Sequence, residues 1–420
     1  MTAKKRFDLV VYGATGFTGQ LVAAYLSRRL PSSSSSSSSP GGGIKWAIAG
    51  RNERKLRDVQ RKCQEMSLSS YAPPCLSVSA NNENAVEEMV RSTKVVLSTA
   101  GPFIKYSRSV VDACVKLGGC DYVDINGETP FVRQLLDEGY HTLAAAKGVF
   151  IVPNCGFDSV PSDLGTLFAV NTLKKASPDA SVSVRRVRGY ADMKGKLSGG
   201  TLETGLLMET MGFSEQLGDP FLLGGEEQRL ADGRARPEDA DVSDIAWSGD
   251  AQSWTAPFMM AGINTRVVRR SASLLNYGPE FSYNEAALAP SERFAKKLKR
   301  QSMTSVEKRK EMREAGFLPK PGEGPDEATR AKSMFKLDFY GEASDGSTCK
   351  CSVSGGDPGY DETAKMVSEA ALLLVARKTE LNRNGGVLTP AAAFGDLLIH
   401  ELHNAGITFQ CKGVGLPSKL

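Results

Sequence analysis

The chain has 420 residues, 41% of them hydrophobic, and a formal net charge of +4. This length is too great for one ordinary domain and predicts two, with ample apolar content for a core. The small charge, with no dominant basic face or aromatic-rich basic motif, excludes nucleic-acid binding as the main role. No stretch approaches the roughly 20 apolar residues of a membrane-spanning helix. The eight cysteines include no CxxC pair, and the first strand follows MTAKKR too closely for a signal peptide, so we expect a cytoplasmic protein with reduced thiols.

The first third of the chain alternates strands and helices, a pattern typical of a doubly wound parallel sheet. Six strands are predicted, near residues 7–12, 44–49, 75–78, 94–99, 120–125 and 149–153. Helices are predicted over residues 17–29, 53–66, 83–91, 108–116 and 130–147. The Ser-rich segment 31–43 interrupts this alternation as a flexible loop insert. We therefore expect a Rossmann-type α/β domain over residues 1–170.

Three glycines follow the first strand within FDLVVYGATGFTG (7–19). Gly13 permits a sharp turn, Gly16 has no Cβ to block a pyrophosphate, and Gly19 lets helix and strand pack closely. The helix start also presents unpaired N–H groups to an anion. The motif indicates a dinucleotide-binding βαβ unit, the alternative being a turn that binds no nucleotide. The residues predicted to bind the cofactor here are Gly13, Thr15, Gly16, Phe17, Thr18 and Gly19.

The second strand ends in basic residues instead of the acid that an NAD enzyme carries for its ribose 2′-hydroxyl. Arg51 stands at the tip of this strand, and Arg54 and Lys55 follow. A guanidinium can hold a 2′-phosphate with two hydrogen bonds, whereas a carboxylate would repel it. These residues predict NADP(H) as the cofactor. The alternative for Arg51 is an exposed, solvated charge.

Polar residues follow the other strands at the edge where such sheets bind ligands. After strand four, Gly101 and Pro102 predict a turn beside the nicotinamide ribose. Ser98 or Thr99 is a candidate hydrogen-bond partner of that ribose, although an ordinary strand-ending turn explains these hydroxyls equally well. After strand six, Asn154 is a polar group at the predicted crevice. Asp158, Ser159 and Asp163 are interpreted as capping residues of the next helix.

A second domain of α+β type is predicted over residues 171–385. It contains a charged insert, 291–325, that indicates a solvated helix and turn. The remaining residues, 386–420, predict a helix and a strand that return to the Rossmann domain. His400 and His403 lie one helical turn apart without a third ligand, so we expect no metal site.

The chain resembles the saccharopine-dehydrogenase-like oxidoreductases nearly end to end. The motifs that carry the resemblance are GATGFTG (13–19), AGR (49–51), GPF (101–103), DYVDINGE (121–128) and GFDSVPSDLG (156–165). Later motifs are similar to the branch of trans-acting enoyl reductases: PFMMAGINTRVVRRS (257–271), PGEGPDEATR (321–330), GGDPGYDETAKM (355–366) and GGVLTPAAAFG (385–395). This branch implies NADP-dependent reduction of enoyl thioesters made by polyketide- or fatty-acid-like synthases, in lipid or glycolipid synthesis.

Such a reaction needs hydride delivery to the β-carbon, stabilisation of the enolate oxygen and a proton for the α-carbon. Tyr106 is the first candidate proton donor and Tyr360 the second. Asn154, or a backbone N–H near Gly156, is the candidate for holding the enolate oxygen. We expect a free or carrier-bound acyl substrate, an acyl carrier protein or polyketide synthase as partner, and a homodimer.

Two other functions stay open. The first is a non-catalytic or NADP-sensing protein associated with a lipid droplet or membrane, bound there by the basic cluster at 293–300, for which a solvated helix face is the alternative. The second is an imine reductase of the saccharopine type. That enzyme would need an amino-acid carboxylate site, for which Arg185, Arg186 and Arg188 alternate awkwardly.

Overall fold

The computed structural model describes residues 5–30, 43–67, 71–177, 179, 181–195, 210–302, 306–315, 319–320 and 322–416. The N-terminal part forms a parallel sheet, sheet A, as the sequence predicts. Its strands are β1 (Phe7–Tyr12), β2 (Trp46–Gly50), β3 (Cys75–Ser77), β4 (Thr93–Ser98), β5 (Asp121–Asp124) and β6 (Phe150–Val152), with β13 (Gly386–Val387) as a seventh.

The strand order in sheet A is β13-β6-β5-β4-β1-β2-β3, and every pairing is parallel. The chain moves outward from β1 to β3 and then outward on the other side from β4 to β6. The reversal lies between β1 and β4, which is where a doubly wound sheet opens a crevice for a ligand. The sheet therefore has the topology that the predicted cofactor needs.

The helices between these strands begin and end close to the predicted positions. They are α1 (Phe17–Arg29), α2 (Glu53–Met66), α3 (Glu83–Ser92), α4 (Phe103–Tyr106), α5 (Arg108–Leu117), α6 (Thr129–Asp137), α7 (Tyr140–Ala146) and α8 (Val160–Ala176). The prediction of a single helix over 130–147 is wrong in one respect. The helix is divided into α6 and α7 because Gly139 adopts a left-handed φ of 77°, which ends one helix before the next begins. Of the predicted Ser-rich insert, residues 31–42 lie outside the described residues.

The second part of the chain builds a mixed sheet, sheet B, with order β14-β12-β11-β7-β10-β9-β8. Strands β7 and β10 pair in parallel and the other neighbours are antiparallel. This is the α+β character that the sequence predicts. The strands are β7 (Val184–Lys194), β8 (Ala246–Ser248), β9 (Ser253–Ala256), β10 (Ser282–Ala289), β11 (Met334–Ala343), β12 (Thr348–Gly355) and β14 (Thr408–Gly415).

The helices of this part are α9 (Ser214–Gly218), α10 (Ala261–Leu275), α11 (Glu292–Ser302), α12 (Val306–Glu314), α13 (Glu327–Arg330), α14 (Asp361–Ala376) and α15 (Pro390–Asn404). One apolar cluster reaches from Val11 of sheet A through Leu164 of α8 to Phe339 of sheet B. Gly165 lets α8 approach sheet B, since a Cβ there would lie 2.4 Å from the Phe339 ring. The two sheets thus share one core.

Three arginines of the motif at 257–271 are buried in α10, and each holds backbone carbonyls. Arg266 donates to Leu217 O (2.8 Å) and pairs with Asp241 (2.6 Å). Arg269 donates to Pro220 O, and Arg270 to Leu223 O and to Val387 O of β13. Burial lowers the pKa of Arg269 and of Arg270 to about 10. The motif therefore fixes the loop at 217–241 onto α10 and ties β13 to it.

The described part of the chain contains neither a membrane-spanning helix nor a cluster of metal ligands. No helix there is both long and apolar enough to cross a bilayer. In the same part of the chain, no group of three or more His, Cys, Asp or Glu side chains is placed to hold a metal ion.

Candidate coenzyme and substrate site

The turn after β1 is shaped by close backbone contacts at two glycines. Gly13 has a left-handed φ of 85°, and its N–H donates to Ala49 O (3.0 Å). A Cβ on Gly13 would lie 2.7 Å from Ala100 N, and one on Gly19 would lie 2.3 Å from Gly13 O. No side chain fits at such distances, so α1 packs directly against the ends of β1 and β4.

Gly16 differs from these two glycines because the space beside it is open. Its backbone is extended (φ −72°, ψ 167°), and it precedes α1 without a side-chain cap. The one atom near an added Cβ is Gly13 O, at 3.3 Å. The first turn of α1 contains no acidic residue, and Thr15 and Thr18 beside it are partly exposed. Uncapped N–H groups next to an open glycine fit the diphosphate of a dinucleotide.

Phe17, the first residue of α1, is covered by segments of the second part of the chain. The Tyr360 ring meets the Phe17 ring edge-on, with centroids 5.0 Å apart. The Arg330 guanidinium lies 5.9 Å from the same ring, and a Cβ on Gly324 would lie 2.5 Å from it. The motifs at 321–330 and 355–366 therefore meet at the glycine turn. Tyr360 is thus brought to the coenzyme site, but it is buried against Phe17.

Arg51 lies at the tip of β2, is exposed, and lies near Tyr106. Its Cζ is 6.0 Å from the centre of the Tyr106 ring, so α4 and the end of β2 meet at one place. Asn52 caps α2 by accepting from Lys55 N (2.9 Å), and the side chains of Arg54 and Lys55 are exposed. This end of the crevice is the adenosine side of a doubly wound sheet. A Tyr106 beside Arg51 is therefore far better placed to contact adenosine than to protonate a substrate next to nicotinamide.

The turn after β4 is fixed by Glu128, which the sequence reasoning did not single out. The Glu128 carboxylate accepts from the N–H groups of Phe103 and Ile104, both at 2.7 Å. The Ser98 hydroxyl is buried and lies 3.0 Å from Ser107 Oγ, so it faces the interior and not the crevice. Gly101 is exposed and Pro102 partly exposed. The turn therefore offers a ligand its backbone and not the Ser98 side chain.

Asn154 belongs to a buried hydrogen-bond network that joins the ends of β5 and β6. Its N–H donates to Asp124 Oδ1 (3.1 Å), and its side-chain amide donates to Asn126 O (2.6 Å) and Asn126 Oδ1 (3.1 Å). Asp124 also accepts from Tyr122 (2.8 Å). Burial raises the pKa of Asp124, and the N–H donors around it oppose that effect. While these bonds are kept, neither amide hydrogen of Asn154 is available for an enolate oxygen.

We expect Asn154→Ala to lower the free energy of unfolding by about 2–3 kcal/mol, because it removes buried hydrogen bonds and leaves a Cβ-bearing residue at a positive φ. The φ of Asn154 is 63°. Urea denaturation measures the loss, and Asn154→Gly, which tolerates that φ, should lose less. An Asn154→Ala protein of unchanged stability but impaired turnover would instead assign Asn154 to the substrate.

The capping role predicted for Asp158, Ser159 and Asp163 is wrong. Ser159 stands at the N-cap position of α8, yet no side chain caps that helix. Asp163 is buried, where it accepts from Ser271 and from Ala391 N (2.8 Å), and burial raises its pKa to about 7. It joins α8 to α10 and α15. The Asp158 carboxylate lies beside Gly127 of the β5–α6 loop, and no local sequence signal distinguishes it from a capping residue.

Comparisons with known proteins agree with this geometry. The family described as the saccharopine dehydrogenase NADP binding domain matches residues 9–152. A Mycobacterium tuberculosis H37Rv protein, provisionally named trans-acting enoyl reductase, is 33% identical over 98% of this chain and 99% of its own length. The trans-acting enoyl reductase of Mycobacterium ulcerans is 29% identical over 97% and 98%.

A solved structure shares the whole fold. Saccharopine dehydrogenase (L-Glu forming) from Saccharomyces cerevisiae aligns with 97% of this chain and 99% of its own chain, with a TM-score of 0.55 and 12% identity. The first part of the chain is an NADP-binding domain, and its glycine cradle and basic β2 tip fit that coenzyme. The chain is an oxidoreductase of the saccharopine-dehydrogenase-like family and belongs, within that family, with the trans-acting enoyl reductases.

Proposed function

We propose that this protein reduces the C=C bond of enoyl thioesters with NADPH, on acyl chains carried by a polyketide-synthase-type partner. The observation that carries the proposal is the full-length similarity, 33% and 29%, to proteins named trans-acting enoyl reductases. We further propose that it acts in the cytoplasm, in lipid or glycolipid synthesis. The partners that we propose are an acyl carrier domain and a second copy of the chain.

We assign a different group of residues along the crevice to each part of the coenzyme. The N–H groups at the start of α1 would bind the diphosphate, with Gly16 leaving room for it. Arg51 would bind the 2′-phosphate, and the turn at Gly101 and Pro102 would lie at the nicotinamide ribose. When bound, the coenzyme supplies the hydride. The Gly156 N–H makes no backbone hydrogen bond within the described residues and is therefore the better candidate for the enolate oxygen.

The test is NADPH oxidation, followed by absorbance, with crotonyl thioesters of N-acetylcysteamine and of an acyl carrier protein. We expect turnover with the carrier-bound substrate and slower turnover with the small thioester, because remote binding energy contributes to kcat. The saturated butyryl thioester is the control. No turnover with any enoyl thioester, together with oxidation of saccharopine by NADP, would instead identify an imine reductase.

The imine reductase is disfavoured by the arginines that it would need. Each of the three already faces an acid in sheet B or beside it. The pairs are Arg185 with Glu280 (3.9 Å), Arg186 with Glu342 (2.6 Å) and Arg188 with Asp250 (3.3 Å). An amino-acid carboxylate would have to displace these partners.

The lipid-surface alternative depends on α11, in which basic residues stand on both sides of the exposed Phe294. Ala295 is buried in a small cluster with Ala256 and Ala289, and Leu298 packs against that cluster. The apolar face of α11 is thus largely covered by the protein. Little of this apolar face remains to enter a membrane. Flotation with lipid vesicles would measure any binding of the protein to lipid.

We expect Tyr106→Phe to leave both kcat and the KM for NADPH within about threefold of the wild type, since it removes only the hydroxyl and keeps the ring beside Arg51. Steady-state kinetics at saturating acyl substrate separates the two parameters. A fall in kcat of about a hundredfold or more would instead identify Tyr106 as the proton donor.

A further inference from the structure

Asp158 lies on the turn that follows β6, at the same edge of sheet A as the glycine turn. Its carboxylate is beside Gly127 of the β5–α6 loop. A Cβ on Gly127 would be 2.9 Å from Asp158 Oδ2 and 3.0 Å from Ile263 Cδ1 of α10. The absence of a side chain at Gly127 therefore makes room for the carboxylate. Asp158 is placed where the β5 and β6 loops of the NADP-binding domain face a helix of the second part of the chain.

Asp158 is a partly exposed residue, but its carboxylate is enclosed by protein, and no hydrogen bond or ion pair joins that carboxylate to any of the described residues. Most carboxylates so enclosed by protein have donors around them. The other ionisable side chains of the surrounding elements are engaged elsewhere. They are Asp124 with Asn126, Glu128 with the N–H of Phe103, Asp163 with Ser271, Glu362 with Lys365, and Arg266 with Asp241.

The lack of hydrogen-bond donors around the Asp158 carboxylate affects its protonation. Removal of water from the carboxylate raises the pKa of Asp158 to about 6, and this loss of solvation is the single cause of the shift. A general acid works best when its pKa lies near the working pH. With this pKa, about one tenth of the molecules carry the proton at pH 7 and about half of them at pH 6, far more than for an ordinary aspartate.

The other candidate donors are less suitable on geometric grounds. Tyr106 lies beside Arg51 at the adenosine end, and Tyr360 is buried against Phe17. Both amide hydrogens of Asn154 are donated to Asn126. Asp158 alone among these four combines a transferable proton, partial exposure and a position at the β5 and β6 ends of the crevice.

Building on the proposed function, we propose that Asp158 is the general acid that protonates the α-carbon of the substrate. Once the β-carbon has received its hydride, the electrons of the C=C bond reside in the enolate. That electron pair takes the proton from the Asp158 O–H and forms the new α-carbon–hydrogen bond. Asp158 is left as a carboxylate and regains a proton from solvent water before the next turnover. The substrate gains one hydride and one proton, so the step is balanced.

The test is Asp158→Asn, which keeps the shape of the side chain and removes the transferable proton. We expect kcat with an enoyl thioester to fall by about 10²–10⁴-fold, while the Kd for NADPH, measured by fluorescence, changes less than about threefold. Asp158→Glu should recover part of kcat. Gly127→Ala, which presses a methyl group on the carboxylate, should lower kcat without changing the charge.

Two readouts need no turnover. Carbon-13 NMR of labelled aspartate in the coenzyme-free protein should show a carboxyl that titrates near pH 6 and is absent from Asp158→Asn. The Tm of Asp158→Asn should exceed that of the wild type at pH 8 and approach it below pH 4. The sign follows because a raised folded-state pKa makes the ionised carboxylate unfavourable for folding as pH rises past that pKa.

The outcomes separate this inference from the function on which it rests. A wild-type protein that reduces enoyl thioesters, with an Asp158→Asn variant of similar kcat, would overturn the role of Asp158 and leave the reductase function intact. A carboxyl that titrates below pH 4.5 would also overturn it. A wild-type protein that binds NADPH and reduces no enoyl thioester would refute the function and the proton-donor role together.

Discussion

A Gly16→Val protein should fold normally and lose NADPH binding, with a Kd at least about a hundredfold higher, equivalent to about 2.7 kcal/mol. The extended backbone of Gly16, φ −72° and ψ 167°, is one that any residue adopts, and no protein atom except Gly13 O lies near an added Cβ. That contact, 3.3 Å from the added Cβ to Gly13 O, requires only a slight shift of the turn, so the free protein should lose little stability. Its cost falls on the diphosphate, which the valine side chain excludes.

Calorimetric titration with NADPH measures the Kd, and thermal unfolding checks the fold. Gly413→Ala is the control because an added Cβ there meets no atom within 4 Å and the site lies on β14, away from the coenzyme. A Gly16→Val protein with wild-type affinity for NADPH would show that the diphosphate does not bind at this turn.

An Arg51→Glu protein should bind NADPH about 10²–10³-fold more weakly, because a charge-assisted pair is lost and a carboxylate then faces the 2′-phosphate. NADH has no such phosphate, so its affinity should change less than about threefold or should improve. The ratio of the two Kd values is therefore the quantity that reports on Arg51.

The control is Arg61→Glu, which makes the same change of charge on the last turns of α2. Arg61 is exposed and pairs with Asp58 (3.3 Å), so its replacement should leave both affinities nearly unchanged. Equal losses of NADPH and NADH affinity in Arg51→Glu would contradict recognition of the 2′-phosphate by this residue.

The parallel sheet could be predicted because its strands are short apolar runs separated by helices of ordinary length. The seventh strand could not. Gly386 and Val387 form β13 by pairing with Phe150 and Ile151, more than two hundred residues earlier in the chain, and two residues carry no periodic signal. The division of the helix at 130–147 depends on the backbone angle of Gly139, which a single glycine in the sequence does not reveal.

The candidate site likewise contains some features that the sequence predicts and others that it does not. The glycine turn and Arg51 are local features, so the sequence alone predicts them. The state of Asp158 depends on what surrounds it: Gly127, which leaves room for it, and Ile263, which comes from α10. The sequence reasoning assigned Asp158 to a helix cap because neighbouring residues favour that role.

The later motifs show the opposite case, in which a specific sequence signal turned out to have a packing explanation. Arg330 pairs with Asp361 (3.0 Å), and its guanidinium lies over Phe17. Asp357 accepts from the N–H groups of Tyr360 and Asp361 (2.9 and 3.2 Å) and so caps α14. These motifs assemble a structure over the coenzyme turn, which local pattern reading could not show.

Product analysis with NADPH deuterated at the transferable C4 position tests the central claim most directly. Incubation of the wild-type protein with this coenzyme and a carrier-bound enoyl thioester should give a saturated acyl chain with one deuterium at the β-carbon. The same reaction with unlabelled NADPH in D₂O should place the deuterium at the α-carbon instead. Coenzyme that binds at the glycine turn but stays reduced in the presence of every enoyl thioester would contradict a reductase of this class.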